Sequence, residues 1–334
     1  MHHLKLIKAD FCDLTDILPE INHCRSLVIL SILDNPIVRI NEQIGFIDSL
    51  REIRLSDCVM TTMSFPPSSL LHSRVDESDQ NVLMFLKKYA KHLNDSTVDI
   101  SNFEVSTIPI QIFERSQQIT RISAHHNNIS YIPKWLNNLP LNFLDLSFNL
   151  IKVLEEHILL LSQLRTLHLE HNPIDALPLF FGLLTNLQCL NVSQCPLQKL
   201  PDTLSRLIHL ETLNVSKTQL SNIESHFFCE WKHLESLNIK ETRVFHLHNT
   251  LKHCTRLKLL EVDTERIISP PEVIIRTGIA STLQYCAMSF QAQQGLIVYD
   301  FSKRLMVEWP VDLCDLEYSR HVIGTFFEVY ECSS

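Results

Sequence analysis

The chain has 334 residues, 45% of them hydrophobic and 20% charged, with a formal net charge of −9 and only 5 Gly. The apolar content suffices for a sizeable core and excludes global disorder, and no run of about 18 uncharged apolar residues exists to cross a membrane. The acidic balance, without a basic stripe, argues against nucleic-acid backbone binding, and so few glycines leave no phosphate-cradling loop.

The opening residues, MHHLKLIKADFCDL, carry Lys and Asp inside their apolar stretch and lack a small-residue cleavage site. They do not read as a secretory signal. From Leu4 onward a template, L-x-x-L-x-L-x-x-N-x-L-x-x-L, recurs. It starts at Leu4, Leu27, Leu50, Asp95, Ile119, Leu141, Leu164, Leu187, Leu210, Leu234 and Leu257, at spacings of 22 to 24 apart from one of 45 between Leu50 and Asp95. The chain has 52 Leu residues, about one in six, an excess that first points to such a repeat. The fourth and sixth positions point inward from a short strand, while the third, fifth, seventh and eighth face out. One such repeat cannot bury its own apolar face, so stability has to come from stacking on neighbours. The ninth position (Asn35, Asn127, Asn149, Asn172) turns the chain, and a buried amide there satisfies backbone groups of adjacent turns. Elsewhere Cys12, Cys58, Cys195, Thr218 or Thr242 takes that place.

Between Leu50 and Asp95, an extra repeat would need inward apolar residues where Asp76 and Ser78 stand. Residues 64–94 are therefore an insertion: a polar loop over 64–80, then an amphipathic helix over 81–93. Val82, Phe85, Leu86, Tyr89 and Leu93 share one helix face, which either packs on the convex side of the repeats or docks a partner. Past Leu257, Pro270-Pro271 stops the repeat, and Thr277-Gly278 precedes a short helix ending near Tyr285. Residues 287–334 match no repeat. Leu296–Tyr299 and Leu305–Val307, split by Ser302-Lys303-Arg304, predict a β-hairpin that shields the end of the array.

These units resemble intracellular leucine-rich repeats of the 23-residue Ras group, which end in a Leu/Ile-Pro step, as at Ile108-Pro109, Ile132-Pro133, Leu177-Pro178 and Leu200-Pro201. That group includes the Ras–Raf scaffold, the polarity scaffolds Scribble and Erbin, and plant disease-resistance relatives. The resemblance covers roughly residues 4–286 and extends to a C-terminal cap over 268–286. It implies an α/β solenoid: a leucine-rich repeat horseshoe with a parallel concave sheet of about eleven strands. The expected domains are 1–286, the repeat domain with its insertion and cap, and 287–334, the tail. The group's functions imply a non-enzymatic scaffold or adaptor in small-GTPase or kinase signalling or in polarity. The alternative is the recognition arm of a larger receptor, ubiquitin ligase or sensor protein, motivated by a first repeat at Leu4 with nothing obvious to cover it.

Ten Cys without a CxxC pair read as reduced thiols of a cytoplasmic protein. The His23-Cys24 and His253-Cys254 pairs sit at equivalent places before a repeat start, which points to packing and not to a nucleophile. Among the outward residues, His125, His126, His168 and His171 belong to units two rungs apart, about 10 Å, too far for one zinc ion. No catalytic residue, cofactor or metal is expected. What remains is the concave strip, which suits a protein partner recognised through many hydrogen bonds, or is simply a solvated face. Its centre is Arg121, Ser123, His125, Phe143, Asp145 and Ser147, continued by His168 and Glu170. Asn191, Asn214, Asn238 and Lys240 extend it. The chain is expected to be a monomer that binds protein, not nucleic acid.

Overall fold

The computed structural model describes residues 3–37, 40–55, 82–88, 96–108 and 119–293, and the chain divides into two units, Met1–Ile174 and Asp175–Ser334. In the first, β1 (Leu6–Lys8), β2 (Ile29–Ser31) and β3 (Glu52–Arg54) pair in parallel. A second parallel run contains β4 (Thr97–Asp99), β5 (Arg121–Ser123), β6 (Phe143–Asp145) and β7 (Thr166–His168). In the second unit, β8 (Cys189–Asn191), β9 (Thr212–Asn214), β10 (Ser236–Asn238) and β11 (Leu259–Glu261) do the same.

Each strand is the third to fifth position of one repeat. Its middle residue, the fourth, is the inward one: Leu144, Leu167, Leu190, Leu213 and Leu237 are all 0% exposed. The sixth position (Leu146, Leu169, Val192, Val215) is buried as well. Burying a Leu is worth about 2 kcal/mol, so each repeat brings several such increments only when its neighbours are present. Parallel solenoid stacking is thus what the 23-residue period encodes.

Return legs are short because 23 residues leave little room after strand and turn. Most are 3-10 turns, such as Lys134–Asn138 and Asp202–Arg206. The repeat's proline sits just before them: Pro133 and Pro201 are the N-caps, and their carbonyls accept from the Leu136 and Leu204 N–H groups. Proline's fixed φ and missing donor suit that place. The repeat from Leu210 to Leu234 has 24 residues, and its return leg is the α-helix α2 (Ser225–Glu230). Phe227 stacks on Trp231 (4.9 Å, 7°), and the Trp231 indole N–H donates to the Leu204 carbonyl at 3.1 Å.

The insertion contributes helix α1, residues 82–88, with Val82, Leu83, Phe85 and Leu86 buried and Met84 exposed. Convex packing was expected; the structure places the helix otherwise. Lys88 Nζ reaches Asp99 Oδ1 and Ser101 Oγ, both at 2.8 Å, and these are outward strand-side positions. Lys87 donates to the Leu50 and Asp48 carbonyls just before β3. With Phe85 edge-on to Phe103 at 5.1 Å, the helix bridges the break between β3 and β4. The predicted loop over 64–80, with Tyr89 and Leu93, lies outside the described residues.

At the N-terminal end, Leu4 is 42% exposed, whereas its equivalents Leu27 and Leu50 are 0%. At the other end of the chain come α3 (Glu272–Arg276), Gly278 at φ 115°, and α4 (Ile279–Gln293). The helix expected to stop near Tyr285 runs on to Gln293, because Gln284–Gln293 contains neither Gly nor Pro to break it. Tyr285 and Cys286 are buried. The predicted hairpin lies outside the described residues. No helix among the described residues is long and apolar enough to cross a membrane.

Candidate functional site

The strand register sets the geometry of the outward face. Arg121, Phe143 and Thr166 are cross-strand neighbours at the third position, and Ser123, Asp145 and His168 at the fifth. Neighbouring rungs are about 4.8 Å apart, which brings adjacent side chains within reach of one another. The Arg121 guanidinium lies 4.0 Å from the Phe143 ring centre, a cation–π contact. Phe143 and His168 rings are 5.8 Å apart. His168 Nδ1 is 3.7 Å from Glu170 Oε2, an ion-pair distance longer than a hydrogen bond. Glu170 is the main influence raising the His168 pKa, against the opposing effect of burial, with the Asp145 charge adding to the rise. Arg121, Phe143, His168 and Glu170 therefore form one connected cluster.

Other predicted residues are less free than their outward position suggests. Asp145 Oδ1 accepts from the Ser147 N–H at 3.0 Å and the Ser147 hydroxyl at 2.7 Å, and Ser147 is buried. In the second unit, Asn191, Asn214 and Asn238 each accept the N–H two residues on (Ser193, Ser216, Lys240) at 3.1 Å. The fifth-position Asp or Asn thus closes the strand end as an Asx turn. Its remaining side-chain atoms are the ones left to meet a ligand. Asn238 spends its amide too, donating to Glu261, whose carboxylate also pairs with Lys240 at 3.6 Å. His125 Nδ1 faces His126 Nδ1 at 2.9 Å.

An eighth-position feature was missed. His126, Phe148 and His171 form a continuous ring stack, with centroids 4.0 Å and 3.9 Å apart and planes within 13° and 18°. All three have left-handed backbones, with φ of 54°, 53° and 57°. So do Asp34, Asn102, Gln194, Lys217 and Glu241 at the same repeat position. The available signal was three aromatic rings recurring at repeat spacing. The Phe148 ring lies between the two imidazoles. Among the described residues no group of three or more His, Cys, Asp and Glu is placed to hold a metal ion.

The Cys–His pairs resolve as packing. Cys24 and Cys254 cap 3-10 turns and are buried. Burial pushes the Cys254 thiol up to about 12, so it stays protonated and is no nucleophile at neutral pH.

A Leucine Rich Repeat family model matches residues 186–207. No curated protein matches the sequence. Among solved structures, a leucine-rich repeat protein of Leptospira interrogans is similar over 78% of this chain and 67% of its own, at 18% identity and a TM-score of 0.51. An internalin of Listeria monocytogenes covers 78% of this chain and 82% of its own at 16% identity, with a TM-score of 0.44. A TDR receptor covers 78% and 43% at 19% identity, with a TM-score of 0.47. The correspondence of fold rests on the first of these.

Proposed function

Since the chain is a leucine-rich repeat protein, we propose that it is a protein-interaction scaffold whose partner binds the outward face of β5, β6 and β7, and that it performs no catalysis of its own. The observation that carries this reading is the cluster of Arg121, Phe143, His168 and Glu170, already in mutual contact before any partner arrives. Aromatic and Arg side chains dominate binding energy at interface centres. Side chains pre-ordered by their neighbours lose less entropy on binding. His125, Ser123 and the second carboxylate oxygen of Asp145 supply hydrogen-bonding groups around this anchor, while the buried Ser147 holds the Asp145 carboxylate in place. In the second unit, Asn191, Asn214, Asn238 and Lys240 offer a polar strip of their own. The likeness of the repeats to Ras-group scaffolds directs the search for the partner first to small-GTPase and kinase signalling, in the cytoplasm.

The test is affinity capture with quantitative mass spectrometry, comparing the wild type with a triple variant, Arg121→Ala, Phe143→Ala and His168→Ala. Lys134→Ala, exposed on a return leg, is the control. Truncating one central anchor typically costs about 2 kcal/mol, or about thirtyfold in affinity. The triple variant should lose the partner that the wild type and Lys134→Ala both retain. Undiminished capture by a triple variant with an unchanged melting temperature would remove this face as the site.

A further inference from the structure

Among the described residues, the Lys and Arg side chains at outward repeat positions each have a carboxylate beside them, with one exception. Lys8 pairs with Asp10 at 3.6 Å, Arg54 with Glu52 at 2.6 Å, Lys217 with Glu241 at 3.5 Å and Lys240 with Glu261 at 3.6 Å. Arg121 is the exception: its exposed guanidinium makes no ion pair and donates no hydrogen bond among the described residues. What it has instead is the Phe143 ring, centred 4.0 Å away. That ring covers one face of the guanidinium and leaves free the N–H groups on its rim, the fork that grips a carboxylate through two parallel bonds.

The register explains why no carboxylate of this sheet has taken the place. Thr97, Arg121, Phe143 and Thr166 make up the third-position row, in which Arg121 is the charged member. The acidic residues stand at the fifth and seventh positions, about 7 Å or more further along each strand, and they are engaged there. Asp99 Oδ1 meets Lys88 and Ser101, Asp145 Oδ1 accepts from Ser147, and Glu170 faces His168. The bonds to Ser101 and Ser147 hold the two Asp carboxylates toward the C-terminal ends of their strands, away from the Arg121 row. Thr97, half-buried and in register beside Arg121, adds a hydroxyl that has no partner among the described residues. Rungs about 4.8 Å apart put both donors within reach of one carboxylate. Asp99 and Asp145 stand on the strands to either side, and their charges oppose a doubly charged phosphate more than a single carboxylate.

We propose that Arg121, together with Thr97, receives an aspartate or glutamate side chain of the protein partner. This rests on the binding face proposed above and names the chemistry of its anchor. The row runs on past Arg121 on both sides, which suits a side chain of a continuing segment better than a chain end. The Phe143 ring already restricts the guanidinium, so less freedom is lost when the carboxylate arrives.

Short randomised peptides, selected by display on the wild-type protein and then synthesised with amidated C-termini, test this. Peptides that bind the wild type and Lys134→Ala but not the triple variant Arg121→Ala, Phe143→Ala and His168→Ala occupy the proposed face. Within that set each Asp is replaced by Asn and each Glu by Gln, and melting temperatures check the folding of every protein variant. One replacement should weaken binding to the wild type about tenfold or more, and binding to Arg121→Gln by less than about twofold. Arg121→Lys, which keeps the charge and loses the fork, should fall between the two. The same loss on amidation in the wild type and in Arg121→Gln, or face-binding peptides without Asp or Glu, would overturn the proposal and leave the binding face standing. A selection yielding no peptide sensitive to the triple variant would overturn both.

Discussion

The two units fill the ninth repeat position differently, and the contrast shows two ways of holding a solenoid turn. In the first unit Asn149 accepts from the Ile129 N–H at 2.9 Å and donates to the Ala124 carbonyl at 2.9 Å, both in the preceding repeat. It also donates to Leu146 and Ser147 of its own turn. Asn127 and Asn172 make the same kind of bridge, and Asn35 reaches back to Ala9, Cys12 and Leu14. In the second unit Thr218 and Thr242 each donate once, to Val215 and Ile239 three residues earlier, at 2.7 Å. A buried amide has acceptor and donors enough to couple neighbouring repeats; a hydroxyl here satisfies only its own turn. The second unit compensates on the return side, where Phe227, Phe228 and Trp231 are buried together.

The contrast can be broken from the first unit with the larger effect. Asn149→Ala orphans an N–H and carbonyls in two repeats, each bond being worth about 1 kcal/mol net and more when its partner stays buried and unpaired. A loss of about 2–4 kcal/mol in urea unfolding is expected. Thr218→Val keeps the shape and removes one short-range bond, so about 1 kcal/mol is expected there. Equal losses would mean that the bridges across repeats add nothing beyond the local turn.

A smaller effect sharpens the picture on the outward face of the first unit. The folded pKa of His168 is raised, chiefly by Glu170, so protonation favours the folded state. Its stabilisation is fully present below the ordinary histidine pKa and is lost as pH rises through the raised value. For a pair screened by partial exposure the size is about 0.5 kcal/mol. Unfolding measured between pH 5.5 and 8.5 should show this loss in the wild type and not in Glu170→Gln. Identical pH slopes would show that the pair is not coupled to folding.

Much of this was legible in the sequence because the inward positions are bound to one residue class. Leu167 and Leu169 flank His168, and no other register buries the two leucines while leaving the histidine out. The Asx turns were legible in principle: Asp99-x-Ser101, Asp145-x-Ser147, Asn191-x-Ser193 and Asn214-x-Ser216 repeat one pattern, yet an outward position by itself suggested a free side chain. The His126–Phe148–His171 stack was hidden because the left-handed turn, filled by Asn only at Asn102, carries His, Phe, Gln, Lys, Glu or Asp elsewhere among the described repeats. The repeat geometry, not local preference, sets φ there. The placement of α1 depended on where Lys87 and Lys88 found acceptors, and these belong to segments 37 and 13 residues away.

The strand register decides which side chains the outward face displays, and one pair of neighbouring substitutions tests that most directly. Leu190 is 0% exposed and Asn191 faces out beside it. Leu190→Asp buries an unpaired charge and should cost about 3 kcal/mol or more. Asn191→Asp keeps the oxygen that accepts the Ser193 N–H and should cost about 0.5 kcal/mol or less. Melting shifts of similar size for the two variants would contradict the register, since a slip of one residue turns every strand side chain to the opposite face.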